Sequence, residues 1–430
     1  MAEIRDPVHG YVAITSIERE LVDSPFLQRL RRIHQLAGSY LVYPGAVHTR
    51  FDHVVGTMHV AGQIANSLSQ NSGVSEEKVQ EVRIASLLHD VGHGPFSHMF
   101  EEVLAEKKST SHEDLSQRIV AETGLARILE SHGYSAEKMS TLAVGRGGSG
   151  EPYLNEIVAG GMSADMMDYL RRDSYFTGVE YGRVDAQRVI DSFHVANGHL
   201  VIDDAAMQAF EALLIARYEM FKAVYFHRTV RAAELMLVHS MKLADDALGL
   251  TDLSSLDNYL ELTDEIVLHR LTRLTPTTRE LAAAKKLALD FRERRLVKCV
   301  YETLVQRKDR EAGRALASES ARERVRSELA ATADIDMMDV YVDVPTTPSV
   351  PYTSAREALT FVRLLRLDGD RKVMNKVPLS DLPLVGSIAG YMDLLRVYTT
   401  AEARARVARA AKRVLGEWRT PRERRARALK

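Results

Sequence analysis

The chain has 430 residues, 45% hydrophobic and 27% charged, with a formal net charge of -2. This apolar content can repay chain entropy, which excludes disorder throughout, and the near-neutral balance excludes a protein whose whole surface attracts nucleic acid. The single cysteine, Cys299, excludes an intramolecular disulfide and fits a reducing compartment. No apolar run is long enough for a transmembrane helix, and the charged start MAEIRDPVHGYVAI does not read as a signal peptide, so a cytoplasmic protein is expected.

In chain order, most of the sequence reads as helix. RFDHVVGTMHVAG at 50–62 opens one helix, and SEEKVQEVRIASLLHD carries Val79, Val82, Ala85 and Leu88 at helical spacing behind Ser75 as N-cap. GRGGSGEP at 145–152 predicts a flexible loop between helices, or a phosphate contact without the Lys-Ser/Thr end of a P-loop. HLVID at 199–203 looks extended, 205–245 reads as one long helical stretch, and 301–333 as a third, charged on one side. DVYVDV (339–344), KVMNKV (372–377) and YMDLLRVYT (391–399) look extended, and PTTPSVPYT (345–353) reads as a connector. The Arg-rich segment from 401 onward is a solvated helix end or a patch for nucleic acid or a polyphosphate.

The histidines are unevenly placed. Seven of 15 lie between residues 48 and 112, where a uniform spread would put about two. Interleaved with carboxylates, they suggest metal or proton-transfer chemistry, because neutral imidazole and carboxylate both coordinate divalent ions. In LLHDVGHGPFSHMF an apolar helix ends in adjacent His89 and Asp90, and Gly92, Gly94 and Pro95 then break it, which places His93 and His98 beside the site rather than along a rod. His53 upstream and Asp165 downstream complete the order H…HD…D, with Asp168 and Asp173 nearby. Four such ligands leave about two positions of an octahedral ion open for water and a substrate oxygen.

In this context the motif resembles the HD-domain dNTP triphosphohydrolase family, the SAM- and HD-domain-containing enzymes of animals and their bacterial relatives. The likeness runs from DPVHGYVAI (6–14) through FLQRLRRIHQLAGSYLVYPGAVHTRFDHVVG (26–56), HDVGHGPFSHMF (89–100) and DMMDYLRRD (165–173), and resumes at MFKAVYFHRTV (220–230) and DVPTTPSVPY (343–352). It begins almost at residue 1, so no SAM domain is expected before it. The resemblance implies a mainly α fold: an HD phosphohydrolase core over 1–240, a C-terminal lobe of helices and a small antiparallel sheet over 241–400, and a basic tail over 401–430.

The implied reaction is attack of a metal-activated water on the α-phosphorus of a dNTP, releasing deoxynucleoside and tripolyphosphate. By the match, His53, His89, Asp90 and Asp165 hold one or two divalent ions (Mn²⁺, Fe²⁺, Mg²⁺ or Zn²⁺). His93, His98, His112 and Glu113 match acid–base positions, with His98 first to protonate the departing 5′-oxygen and His112 with Glu113 supporting proton transfer. Arg50 would meet phosphate, and Arg217, Tyr225 and Arg228, read as lying on one long helix, match positions that hold the terminal phosphates. Gln35 and Leu36 match sugar contacts, Asp173 faces the 3′ side, and Tyr169 packs beneath C2′, leaving no room for a 2′-hydroxyl. Asp23, Gln28 and Arg31 match residues that read guanine in an activating dGTP or GTP.

The pattern has departures. Met166 stands where the animal enzymes carry a phosphate-binding lysine, and Ala2, followed by Glu3, stands where a basic residue of the activator site is expected. A homodimer or homotetramer follows from the likeness alone. Alternatives of the same fold are a phosphohydrolase of ribonucleotides, nucleoside monophosphates or modified nucleotides; one of another class is a nucleotide or nucleic-acid sensor using the basic tail.

Overall fold

A computed structural model describes residues 2–148, 150–305, 318–348, 360–368, 371–388 and 391–416. Contacts gather the chain into two compact units, each assembled from separate segments: Met1–Val224 with Asp245–Arg270 and Val350–Ala389, and Tyr225–Ala244 with Leu271–Ser349 and Gly390–Lys430.

The first unit is mainly helical, as the sequence predicts. Its central helix, Arg50–Ser72, starts where Asp52 accepts hydrogen bonds from the backbone and hydroxyl of Thr49, and ends at Gly73 in a left-handed conformation. The helix Glu76–Leu88 packs against it, capped by Ser75 as expected. Val54, Met58, Ala61 and Leu68 on the first and Val82, Ala85 and Leu88 on the second are all buried. An antiparallel hairpin, Ala2–Asp6 with Gly10–Ile14, also belongs to this unit. A mixed sheet completes it, in the order Phe193–Ala196, His199–Asp203, Phe361–Asp368, Arg371–Pro378. Its middle pair is parallel, with Ile202 opposite Leu364; the outer pairs are antiparallel.

The second unit holds an antiparallel sheet in which Tyr391–Thr399 lies between Lys298–Val305 and Val340–Asp343. Helices Glu319–Ala333 and Arg404–Val414 share one core with it, including Val325, Leu329, Val340, Leu395, Val397 and Val407.

Three expectations are corrected. Residues 298–305 form a strand and not the start of a helix: KCVYETLV places β-branched and aromatic residues along a pleated surface, and the helix begins at Glu319. The stretch 205–245 is not one helix. Met207–Met220 ends in a π-turn over Phe221–Tyr225, and a new helix runs from Arg228 to Leu248. Carbonyls freed by the break are taken by side chains, Ala223 O by the Tyr43 hydroxyl at 2.7 Å and Phe226 O by Arg396 at 2.6 Å. Finally, the four expected strands divide between two sheets, HLVID and KVMNKV in the mixed one and DVYVDV and YMDLLRVYT in the antiparallel one. Residues 417–430 of the basic segment and 349–353 of the connector lie outside the described residues. Among the described residues no helix is long and apolar enough to cross a membrane.

Candidate active site

Four side chains from three places in the sequence converge in the first unit. His53 sits one turn into the central helix, His89 caps the next helix with Asp90 directly after it, and Asp165 lies in the first turn of Ala164–Thr177, behind Ser163 as N-cap. His53 Nε2 is 3.0 Å from Asp165 Oδ1 and 3.7 Å from Asp90 Oδ2, and His89 Nε2 is 3.2 Å from Asp90 Oδ1 and 3.8 Å from Asp165 Oδ1. Ligand atoms about 2.1 Å from an ion and at right angles to each other lie roughly 3 Å apart, so the spacing suits a common ion.

Tautomers point the same way. His53 Nδ1 bonds Asp168 Oδ2 at 2.8 Å and His89 Nδ1 bonds the Ser86 carbonyl at 2.7 Å. These acceptors fix a ring hydrogen at each Nδ1, so Nε2 is the nitrogen left for an ion, at His53 by displacing the proton it shares with Asp165. His89 Nε2 is buried with no hydrogen-bond partner, an orphan that a cation would satisfy. His53, His89 and Asp90 are thus close enough together to hold a divalent ion, with Asp165 beside both rings.

Charge is arranged around this centre. Burial opposes ionisation of Asp90, but His89 and Arg50 hold its carboxyl well below the usual range. Arg50 Nη1 lies 2.5 Å from Asp90 Oδ2, its Nε bonds Ser97 at 2.9 Å, and its Nη2 has no partner. Burial also opposes the charged form of His53, yet the Asp165 and Asp168 hydrogen bonds override it and push the ring up to about 10. Asp168 is fully buried and also accepts from His9 and twice from Arg172, whose Nη1 reaches Asp6 at 2.9 Å. Gly56 makes room for this pair: a Cβ there would meet Asp168 Oδ1 at 2.0 Å and Arg172 Nη2 at 2.2 Å.

Beside these four residues lies a cluster of histidines. His93 stacks on His112 with centroids 3.9 Å apart, and its Nε2 is 3.4 Å from Asp90 Oδ1. Burial, reinforced by Arg50 and His112, holds His93 well below its ordinary value and therefore neutral. Glu101 bridges the other two rings, at 2.7 Å from His112 Nδ1 and 3.1 Å from His98 Nδ1, with Glu113 3.5 Å from His112. His112 is raised because the Glu101 hydrogen bond outweighs burial. His98 is exposed.

The remaining expected residues divide. Gln35 is buried with Oε1 unpartnered, and Leu36 follows it, half-buried. Asp173 is buried against His48 Nε2 at 2.7 Å, and His48 stacks on Phe176. The Tyr169 phenol is pushed up to about 12 by burial, with Arg217, in hydrogen-bonding reach, acting the other way. Tyr225 ends the helix break and Arg228 opens the next helix, both in the second unit, and Arg228 is exposed. Asp23 is exposed and, with Arg19, Phe26 and Arg127, lines a groove of about 810 Å³. Gln28 bonds the Val22 carbonyl at 2.8 Å and receives Arg31 at 2.9 Å, and Arg31 lies over the Phe51 ring.

Sequence reasoning left Asp168, Glu101, His48 and His9 without roles. Asp168 is one turn after Asp165, and Glu101 one turn after His98, so helical spacing alone carried a signal for both. His9 and His48 had none.

The arrangement defines a candidate divalent-metal centre. Residues 50–173 match the HD domain and 184–425 the HD associated region, and the chain belongs to this family. It is 34% identical over 284 residues to an uncharacterized protein of Methanocaldococcus jannaschii, covering 64% of this chain and 58% of that one. It is 30% identical over 319 residues to the deoxynucleoside triphosphate triphosphohydrolase SAMHD1 homolog of Dictyostelium discoideum, covering 70% and 60%. The chain thus spans about 60% of the length of these relatives. A solved structure of a hypothetical protein from Aquifex aeolicus superposes with a TM-score of 0.76 at 31% identity, covering 94% of this chain and 99% of that one.

Proposed function

We propose that this chain is a deoxynucleoside triphosphate triphosphohydrolase, cleaving a dNTP to deoxynucleoside and tripolyphosphate. The observation that carries the reading is the convergence of His53, His89, Asp90 and Asp165 with both Nε2 atoms turned to one point. A divalent ion held there would supply Lewis-acid chemistry, acidifying a water and offsetting phosphoryl charge.

The chain's own residues do the rest. Arg50, fixed by Asp90 and Ser97, keeps Nη2 for a phosphate oxygen. Glu101 aligns His98 and His112, so that exposed His98 can hand a proton to the 5′-oxygen while His112, with Glu113, replenishes it. Tyr169 and Arg217 form one wall, for the sugar C2′ and the phosphates; Gln35, Leu36 and Asp173 take the 3′ side. Tyr225 and Arg228 as terminal-phosphate contacts rest on the family likeness, as do Asp23, Gln28 and Arg31 as a dGTP or GTP site and assembly as homodimer or homotetramer. The exposed cations Arg404, Arg406, Arg409, Lys412 and Arg413 support nucleic-acid binding by the basic segment.

The test is product analysis after incubating the Mn²⁺-loaded protein with each dNTP and NTP, alone and with GTP. Deoxynucleoside plus tripolyphosphate, lost in His89→Ala and Asp90→Ala, is expected; release of single phosphates or turnover of ribonucleotides alone refutes it. Hydrolysis of a single dNTP that ignores added GTP and dGTP removes the activator.

A further inference from the structure

The turn that carries His93 is held in a conformation its own sequence does not favour. Phe96 and Ser97 are both left-handed, at φ 58° and 56°, and Ser97 has ψ -123°. Neither is glycine, and such backbone persists only where its surroundings over-determine it.

The surroundings that do so come from far along the chain. The Tyr259 hydroxyl, fully buried, donates to the Gly92 carbonyl at 2.7 Å. Arg29 donates from Nη1 to the His93 carbonyl at 2.8 Å and from Nε to the Leu262 carbonyl at 3.1 Å, with its guanidinium 5.2 Å from the Tyr259 ring centroid. Asp264 Oδ1 accepts the Phe96 backbone N–H at 2.6 Å, while Oδ2 accepts the backbone and the ring of His34. Ser97 Oγ then donates to the His34 carbonyl and receives Arg50 Nε, which leads to Asp90.

Burying the Arg29 guanidinium is costly: its hydrogen bonds go to carbonyls, and the Asp264 carboxylate, bonded to Phe96 and His34, attracts it without a hydrogen bond. A cation kept on such terms serves geometry more than stability. We infer that Arg29, Tyr259 and Asp264 are positioning residues: they clamp the 92–97 turn at three successive points and so set where His93 and His98 stand relative to the ligands. This rests on the hydrolase reading above.

The experiment uses the full chain with Tyr259→Phe, which deletes one hydroxyl, and Asp264→Asn, which keeps an acceptor but loses the charge. Hydrogen exchange of peptides spanning 91–100 is read alongside metal content, KM and kcat on the best dNTP. The expected result is exchange at least tenfold faster in 91–100, kcat at least tenfold lower, and KM and metal content unchanged. A merely structural role would lower metal content and raise exchange across the whole unit, and Asp264→Glu would then rescue no better than Asp264→Ala. Wild-type hydrolysis with kcat intact in both variants overturns the inference and leaves the hydrolase reading standing. If the wild-type protein turns over no nucleotide, that reading fails, and the exchange data still decide: unchanged exchange in 91–100 overturns the clamp.

Discussion

Asp168→Asn is the sharpest probe of how the metal centre is supported, because the substitution keeps shape and removes charge. Asp168 accepts four hydrogen bonds, from His9 Nε2 at 2.6 Å, His53 Nδ1 at 2.8 Å and Arg172 Nε and Nη2 at 2.9 Å each. An asparagine offers one acceptor oxygen, and its amide must face two of the donors. If the amide faces His53, the ring loses the partner that directs its Nε2 to the ligands; if it faces Arg172 Nη2 and His9, two buried donors collide with a third. Losing a second-layer partner of this kind typically costs 10–100-fold in metal affinity, about 1.4–2.8 kcal/mol. Arg172 keeps Asp6, so the stability loss belongs at the low end of the roughly 3–5 kcal/mol seen when a buried pair is broken. Asp165→Asn is the control: its side chain is 36% exposed and pairs with His53 alone at hydrogen-bond distance, so metal binding should fall as far or further while stability falls less than in Asp168→Asn. Mn²⁺ binding by chelator competition and urea melts of the metal-free chain separate the two. If Asp168→Asn matches wild type in both measurements, or loses metal without any loss of stability, the network does not support His53 and the reasoning fails.

Glu101→Gln should lower kcat by roughly 10²–10⁴-fold while metal content stays at the wild-type level, since it uncouples His98 from His112 without touching a ligand; equal loss of metal would refute the relay. Gly56→Ala would gain about 1 kcal/mol of helix propensity, but a Cβ 2.0 Å from Asp168 Oδ1 imposes overpacking of roughly 1–3 kcal/mol, so the melt should show net destabilisation. His239 is held down to about 3 by burial, then Arg326 and Lys242. Its folded form binds fewer protons than the unfolded chain, so its contribution is full above pH 6.5 and is lost as pH falls toward 3, by up to about 1.4 kcal/mol per unit. Denaturant melts of His239→Phe should show a shallower acid slope over that range.

The parts of this molecule that were legible in the sequence are those set by neighbours. Ser75 before a 3.6-periodic run, the Gly92–Gly94–Pro95 break and the extended 391–399 segment all stand where local chemistry put them. The candidate order H…HD…D stood out in the sequence because an apolar helix runs into adjacent His89 and Asp90 amid clustered histidines, and the family resemblance supplied its other members. What was not legible is pairing at long range. HLVID reads as a strand, but its partner lies 162 residues on, at Leu364 opposite Ile202, and nothing in either segment names the other. The helix break at 221–225 depends on Tyr43 capturing the Ala223 carbonyl, again a contact across 180 residues. Tyr259 and Asp264 carry no motif; their roles exist only because folding brings them under the 92–97 turn.

A motif of ligands is chemically incomplete until something fixes which ring nitrogen faces the ion, and here that work falls to groups outside the motif. Asp168 draws the hydrogen of His53 to Nδ1, and the Ser86 carbonyl, one turn back on the same helix, does so for His89. The two solutions differ in kind. A carbonyl is neutral and only orients, whereas the Asp168 carboxylate also adds negative charge behind the ring and makes its lone pair a better donor. Arg172 and His9 temper that charge, and the Ala2–Asp6/Gly10–Ile14 hairpin is thereby tied to the metal centre through a single buried carboxylate. Opposite it, Asp90, a proposed ligand, is ion-paired with Arg50, so drawing Arg50 toward a phosphate would leave more of the Asp90 charge for the ion. Substrate and metal should therefore each strengthen the binding of the other, through side chains that touch both.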